Sequence, residues 1–69
     1  MELIEIVINS ETYRIPVGIT ITQLLEQQEI SPLGLAVAIN NQVISKTQWN
    51  NTLIENKQEI TIIRATQGG

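Results

Sequence analysis

Residues 18–29, GITITQLLEQQE, carry the one helical pattern in a chain that otherwise reads as strands, and they decide the fold class. Thr20 suits an N-cap, and Gln23 three residues later completes a capping-box pattern. Ile21, Leu24 and Leu25 stand at i, i+3 and i+4, which is one helix face. Pro32 disfavours helical backbone at Ser31, so the helix is expected to end near Ile30. Working outward, ELIEIVI at residues 2–8 has period two. Ile4, Ile6 and Ile8 share one face, and Leu3, Glu5 and Val7 share the other. With both faces partly apolar, this strand is expected inside a sheet rather than at its edge. Asn9 to Glu11 reads as a turn and TYRI as the returning strand, which Pro16 should end because it has no N–H to donate.

Beyond the helix, LAVAI from Leu35 is a strand, Asn40–Asn41 a tight turn, and QVI a brief strand. SKTQW is either a helical turn capped by Ser45 or a surface turn whose Trp49 covers one edge of the core. Glu59 to Ala65 forms the last strand. Many short strands, short loops and one helix predict an α+β domain: a mixed sheet of four to five strands packed on one main helix. The domain is expected over residues 1–65, with residues 66–69 a flexible tail ending Gly68–Gly69.

Composition narrows the function. The chain has 69 residues, 42% of them apolar, enough for one small core and too apolar for a disordered segment. Seven acidic residues, all glutamate, outnumber Arg14, Lys46, Lys57 and Arg64, for a net charge of −3. That balance disfavours nucleic acid, which needs cations to neutralise phosphates, and suits docking onto a more basic protein. Histidine, cysteine and aspartate are missing. No zinc ligand set, Ser-His-Asp triad or Cys-His pair can be assembled, and an autonomous enzyme is not expected. No secretory signal is legible at the N-terminus, no run approaches the ~20 apolar residues that cross a bilayer, and no cysteine points to an oxidising compartment. The cytoplasm is the expected location, with no membrane partner.

RATQGG at residues 64–69 raises a chemical question. Glycine is about 7% of average composition, so chance places it at both of the last two positions in roughly 0.5% of chains. Loose chain ends favour glycine anyway, but a working carboxylate gives the pair a mechanism. Suppose ATP in a partner's deep site activates that carboxylate. Glycine then lets backbone pass where side chains would collide. Residues 66–69 reach about 13 Å at ~3.3 Å per residue, enough to enter a site while the domain docks outside.

Across essentially its whole length the chain resembles the ubiquitin-like sulfur carriers of β-grasp fold, and among them the thiamine-biosynthesis (ThiS) family. The resemblance rests on the strand-turn-strand start, TITQLLEQ, LAVAINNQVISKTQW and ITIIRATQGG. AINNQVI followed by tryptophan is its most specific part, and the length fits this family better than the longer molybdopterin carriers. The chain departs from the pattern at Asn56–Glu59, NKQE, where an acidic, glycine-containing turn is common, and at Lys46, where arginine is expected.

The resemblance implies a carrier and not a catalyst. A partner adenylating enzyme of the ubiquitin-activating type would use ATP with magnesium to convert Gly69 to an acyl-adenylate, and this chain would itself bind no cofactor. A persulfide sulfur donor would turn the adenylate into a thiocarboxylate. A thiazole synthase would take the sulfur for thiamine. Gly69 is then the sulfur-carrying residue and Gly68 gives clearance. Gln67, Thr66 and Arg64 line the route into the partner, though Arg64 reads equally as a solvated charge at a strand end. Leu3, Val7 and Ile63 are candidates either for an apolar docking patch on the sheet or for the core. Alternatives are a carrier for molybdopterin or another sulfur acceptor, a protein modifier joined to lysines, and a binding-only module with an idle tail.

Overall fold

A computed structural model describes residues 2–64. In chain order these form β1 (Leu3–Ile8), β2 (Glu11–Pro16), α1 (Ile21–Gln27), β3 (Leu35–Ile39), β4 (Gln42–Ile44), a 3-10 turn (Lys46–Gln48) and β5 (Glu59–Arg64). The strands make one sheet in the order β2-β1-β5-β3-β4. β1 and β5 run parallel, and the other neighbours are antiparallel. This is the mixed, five-stranded α+β arrangement of a ubiquitin-like β-grasp. The parallel central pair needs a long crossover, and α1, β3 and β4 lie within it.

β1 is interior, as its two-sided apolar pattern requires. Ile6 and Ile8 point inward with Ile15, Val37, Ile39 and Ile60, and Ile21, Leu24 and Leu25 of α1 close over them in one cluster. Seven residues are too few for a stable isolated helix, so packing and caps hold α1. The Thr20 hydroxyl accepts the Gln23 amide at 3.2 Å, and Gln23 Oε1 accepts the Thr20 amide at 2.9 Å. The Ile21 and Thr22 amides, unpaired within any helix's first turn, donate to the carbonyls of Thr52 and Trp49. Residues 49–54 thus strap the start of α1 to the core, with Ile54 buried and its amide on the Ile19 carbonyl at 2.9 Å.

The helix ends earlier than Pro32 suggests. Glu29 adopts φ 57°, its amide donates to Glu26 O, and the Ile30 amide reaches back to Leu25 O at 2.9 Å. That is a Schellman closure with glutamate where glycine is usual. The helix is stopped by its own terminal turn before proline can act. Pro16 is the last residue of β2, opposite Leu3, so the strand ends there as expected. β2 is an edge strand, where a missing N–H costs no ladder bond.

Both hairpins turn on two left-handed residues, Asn9–Ser10 (φ 49° and 73°) and Asn40–Asn41 (φ 50° and 69°). Each matches a two-residue type I′ turn. Trp49 is buried at 4% exposure, with its indole N–H on the Ile44 carbonyl at 3.0 Å. The covering role expected of it is realised. The neighbouring 3-10 turn forms too, but Ser45 does not cap it: its hydroxyl lies 3.0 Å from that of Thr47.

Candidate functional site

β5 carries the chain toward its last residues, so the site begins with what fixes β5. Ile60 is fully buried, and Ile62 packs partly against the core. On the opposite face Ile63 is 53% exposed; Arg64, back on the face of Ile60 and Ile62 and paired in register with Leu35, is exposed too. The strand changes from core element to surface element over its last two residues. Arg64 stands in solvent at the point where β5 ends. Thr66, Gln67, Gly68 and Gly69, as well as Ala65 and the expected 65/66 boundary, lie outside the described residues.

The sheet face turned away from α1 is the surface next to that end. Parallel pairing of Val7 with Glu59 puts Leu3, Glu5, Val7, Thr61 and Ile63 on this one face. The antiparallel register adds Ala36 opposite Ile63, and Ala38 and Val43 level with Thr61. Leu3, Val7 and Ile63 are therefore not core residues. They do not form one patch either. Leu3 lies four residues before the Val7–Glu59 pair and Ile63 four after it, a separation of roughly 26 Å along the strands at ~3.3 Å per residue. The apolar surface beside the end of β5 is made by Ile63, Ala36 and Val43, the last 69% exposed. Two small alanines keep this area flat between larger side chains.

Two shallow clefts lie elsewhere. One, of about 270 Å³, is lined by Leu3, Ile4, Glu5, Arg14, Asn56 and Lys57. The other, of about 410 Å³, is lined by Thr22, Pro32, Lys46, Thr47, Trp49 and Asn50. Neither includes a β5 residue. Lys46 holds its ammonium 5.6 Å from the centre of the Trp49 ring, a cation–π contact of the kind that arginine, expected there, makes more often. Among the described residues no group of three His, Cys, Asp or Glu side chains is placed to hold a metal ion.

The sequence reading missed the work of three asparagines. Asn9 Oδ1 accepts the Ile62 amide at 2.9 Å, and Asn9 Nδ2 donates to the Ile62 carbonyl at 3.3 Å. Asn40 Oδ1 accepts the Glu59 amide at 2.9 Å. Asn56 Oδ1 accepts the Glu5 amide at 2.8 Å, and the Lys57 amide donates to the Glu5 carbonyl at 2.6 Å. All three sit in turns and reach sideways to a strand. The signal was present only in part: asparagine at a turn is read first as a residue that tolerates left-handed backbone. The Asn56–Lys57 turn also explains the unusual NKQE stretch. Lys57 takes φ 69°, the conformation for which a glycine would be the easy choice.

The fold and the end of β5 can now be set against known proteins. The ThiS family model matches residues 2–69. The chain belongs to the ThiS family. The sulfur carrier protein ThiS of Escherichia coli (strain K12) is 29% identical over 65 residues, covering 94% of this chain and 98% of that protein. The crystal structure of the thiamine biosynthesis protein ThiS from Geobacter metallireducens superposes with a TM-score of 0.84 over 96% of this chain and 100% of the other. At 14% identity that second likeness speaks for the fold alone. The family is one of sulfur carrier proteins and not of catalytic enzymes. The ThiS match extends over residues 2–69 and so spans Gly68 and Gly69.

Proposed function

We propose that this chain carries sulfur as a thiocarboxylate on Gly69 and delivers it for thiazole formation in thiamine biosynthesis. The observation that carries the reading is the match of the ThiS family model through residues 68–69, together with a β5 that turns from core to surface just before them.

The chemistry follows from what a carboxylate needs. A carboxylate is a poor electrophile, because its leaving group would be an oxide. A partner adenylating enzyme, using ATP with magnesium, lets the Gly69 carboxylate attack the α-phosphorus. Pyrophosphate leaves and an acyl-adenylate remains. The terminal sulfur of a cysteine persulfide attacks the acyl carbon and expels AMP, giving an acyl disulfide. A thiol then attacks the donor-side sulfur, takes up the persulfide's half as a disulfide, and releases the thiocarboxylate. A thiazole synthase accepts that sulfur. The chain itself supplies a docking surface and a narrow tail: Gly68 gives clearance, Thr66 and Gln67 line the entry, and exposed Arg64 meets the partner at the mouth. Ile63, Ala36 and Val43 form the apolar ground on which the partner rests, a small patch of the kind that marks interaction sites. All of these steps belong in the cytoplasm, where ATP and reduced thiols are at hand.

The test is thiazole synthesis reconstituted with isotopically labelled cysteine sulfur. Label should enter the thiazole only when the chain is present, and deletion of Gly69 should abolish it. Label entering molybdopterin instead, or Gly69 found in amide linkage to lysines, would replace this reading with the related carrier or the modifier.

A further inference from the structure

The end of β1 and the end of β5 are out of step. The main-chain pairing of the two parallel strands runs through Val7↔Glu59 and Ile8↔Ile60, with the Asn9 amide on the Ile60 carbonyl at 3.0 Å. A parallel ladder continued one step further would bond the Ile62 amide to the carbonyl of residue 9, and the Ile62 carbonyl to the amide of residue 11. Neither group is at hand. The chain reverses at Asn9 and Ser10, and Glu11 is already paired with Ile8 across the hairpin. The Asn9 carboxamide supplies both bonds instead, its oxygen to the Ile62 amide and its nitrogen to the Ile62 carbonyl. One primary amide thus replaces the missing peptide and carries the β1 edge one step past its end. Among the described residues it is the last tie on that side of β5, two residues before Arg64.

We infer that Asn9 is a positioning residue for activation of Gly69: by clamping Ile62 it holds the edge of β5 that faces β1 and so sets the direction of the strand's last described residues. The inference rests on the sulfur-carrier reading. From Ile62 to Gly69 is seven residues, at most about 23 Å extended at ~3.3 Å per residue. Where the strand end is anchored sets the region the carboxylate can reach, and misplacement of about 1 Å at a reacting centre can cost on the order of 100-fold in rate. The docking patch of Ile63, Ala36 and Val43 is held to β3 on the other side of β5. Ile63 and Arg64 stay paired with Ala36 and Leu35 of β3, so loss of the Asn9 clamp frees only the β1-facing edge of β5 while the patch stays seated.

The variant of choice is Asn9→Gly. Glycine accepts φ 49° without strain, so the hairpin keeps its turn and only the carboxamide is lost. Asn9→Asp keeps one acceptor for the Ile62 amide and loses the donor. Each full-length variant is measured with the adenylating enzyme by ATP–pyrophosphate exchange, and by amide hydrogen exchange at Ile62. Because the chain is the substrate, any unfolded fraction lowers its effective concentration and appears in KM. A misdirected tail in a docked complex appears in kcat. Asn9→Gly should speed exchange at Ile62 about tenfold and lower kcat by at least about tenfold, with KM within twofold, and Asn9→Asp should fall between it and the parent. Unchanged kcat in Asn9→Gly, or a change confined to KM, would overturn the inference. A parent chain that supports no exchange at all would overturn the sulfur-carrier reading, and the inference with it.

Discussion

Asn40 holds Glu59 by both ends of a peptide-like contact: its Oδ1 accepts the Glu59 amide at 2.9 Å, and its own amide donates to the Glu59 carbonyl at 2.8 Å. The first residue of the β3–β4 turn is thereby tied to the first residue of β5. The contact explains why asparagine stands at a position with φ 50°, which it must also tolerate. The two demands can be separated. Asn40→Gly removes only the side-chain bond, worth about 0.5–1.5 kcal/mol. Asn40→Ala adds the cost of left-handed backbone, about 1–2 kcal/mol. Urea unfolding should therefore rank parent, glycine variant and alanine variant in falling stability. Equal losses in the two variants would show that the bond to Glu59 carries the whole effect.

Glu29 offers the opposite sign. Its φ of 57° closes the Schellman turn after α1, and a glycine there avoids about 1–2 kcal/mol of steric cost. Glycine also gains freedom in the unfolded chain, which offsets part of that. Glu29→Gly should be stabilised by about 0.5–1 kcal/mol, seen as a rise of a few degrees in Tm. A fall in Tm would mean that the glutamate side chain contributes something beyond the turn.

Tyr13 gives a pH dependence. Its hydroxyl donates to Glu11 Oε1 at 3.0 Å. That hydrogen bond first, then the nearby carboxylate charge, then desolvation raise its pKa above the ordinary phenol value near 10. The folded state holds the proton more tightly than the unfolded one. The contribution to stability is therefore complete below the unfolded pKa and is lost as pH rises through the folded pKa. Ultraviolet titration of the folded protein should show a midpoint above that of a free tyrosine, and Glu11→Gln should bring it back down. A midpoint unmoved by Glu11→Gln would remove Glu11 as the cause.

The apolar ground beside the end of β5 predicts a separation of docking from stability. Ile63 is half exposed, so Ile63→Glu should change unfolding free energy by no more than about 0.5 kcal/mol. The same change places a charge in the middle of the proposed contact and should raise KM for the adenylating enzyme about tenfold or more. Together with the Asn9 variants this makes a pair: Ile63 moves KM and Asn9 moves kcat. An Ile63→Glu chain with the parent's KM would place the docking surface elsewhere.

Much of the fold was legible because local signals agreed. The capping box at Thr20–Gln23, the face of Ile21, Leu24 and Leu25, and the alternation in β1 each named an element that the structure contains. The left-handed Asn40–Asn41 turn was legible for the same reason. The places where reading failed are those where distant residues decide. Glu29 ends α1 before Pro32 acts, and nothing in a glutamate announces left-handed backbone. Ile54 enters the core from a stretch with no period of two or 3.6, because it packs as a strap and not as part of an element. Asn9 and Asn40 were legible as turn residues but not as clamps, since their partners, Ile62 and Glu59, are fixed only by sheet order. Of the site, Arg64 is an exposed residue of β5, and the separation of Leu3 from Ile63 depended on the parallel register of β1 and β5.

The central claim is that Gly69 carries sulfur, and intact mass tests it most directly. The full chain is incubated with its adenylating enzyme, ATP with magnesium, a cysteine persulfide donor and a thiol, and is then weighed. The account predicts a gain equal to the exchange of one oxygen for one sulfur, absent when ATP is withheld and absent when Gly69 is deleted. A parent chain of unchanged mass, with an enzyme shown to be active on another carrier, would contradict it.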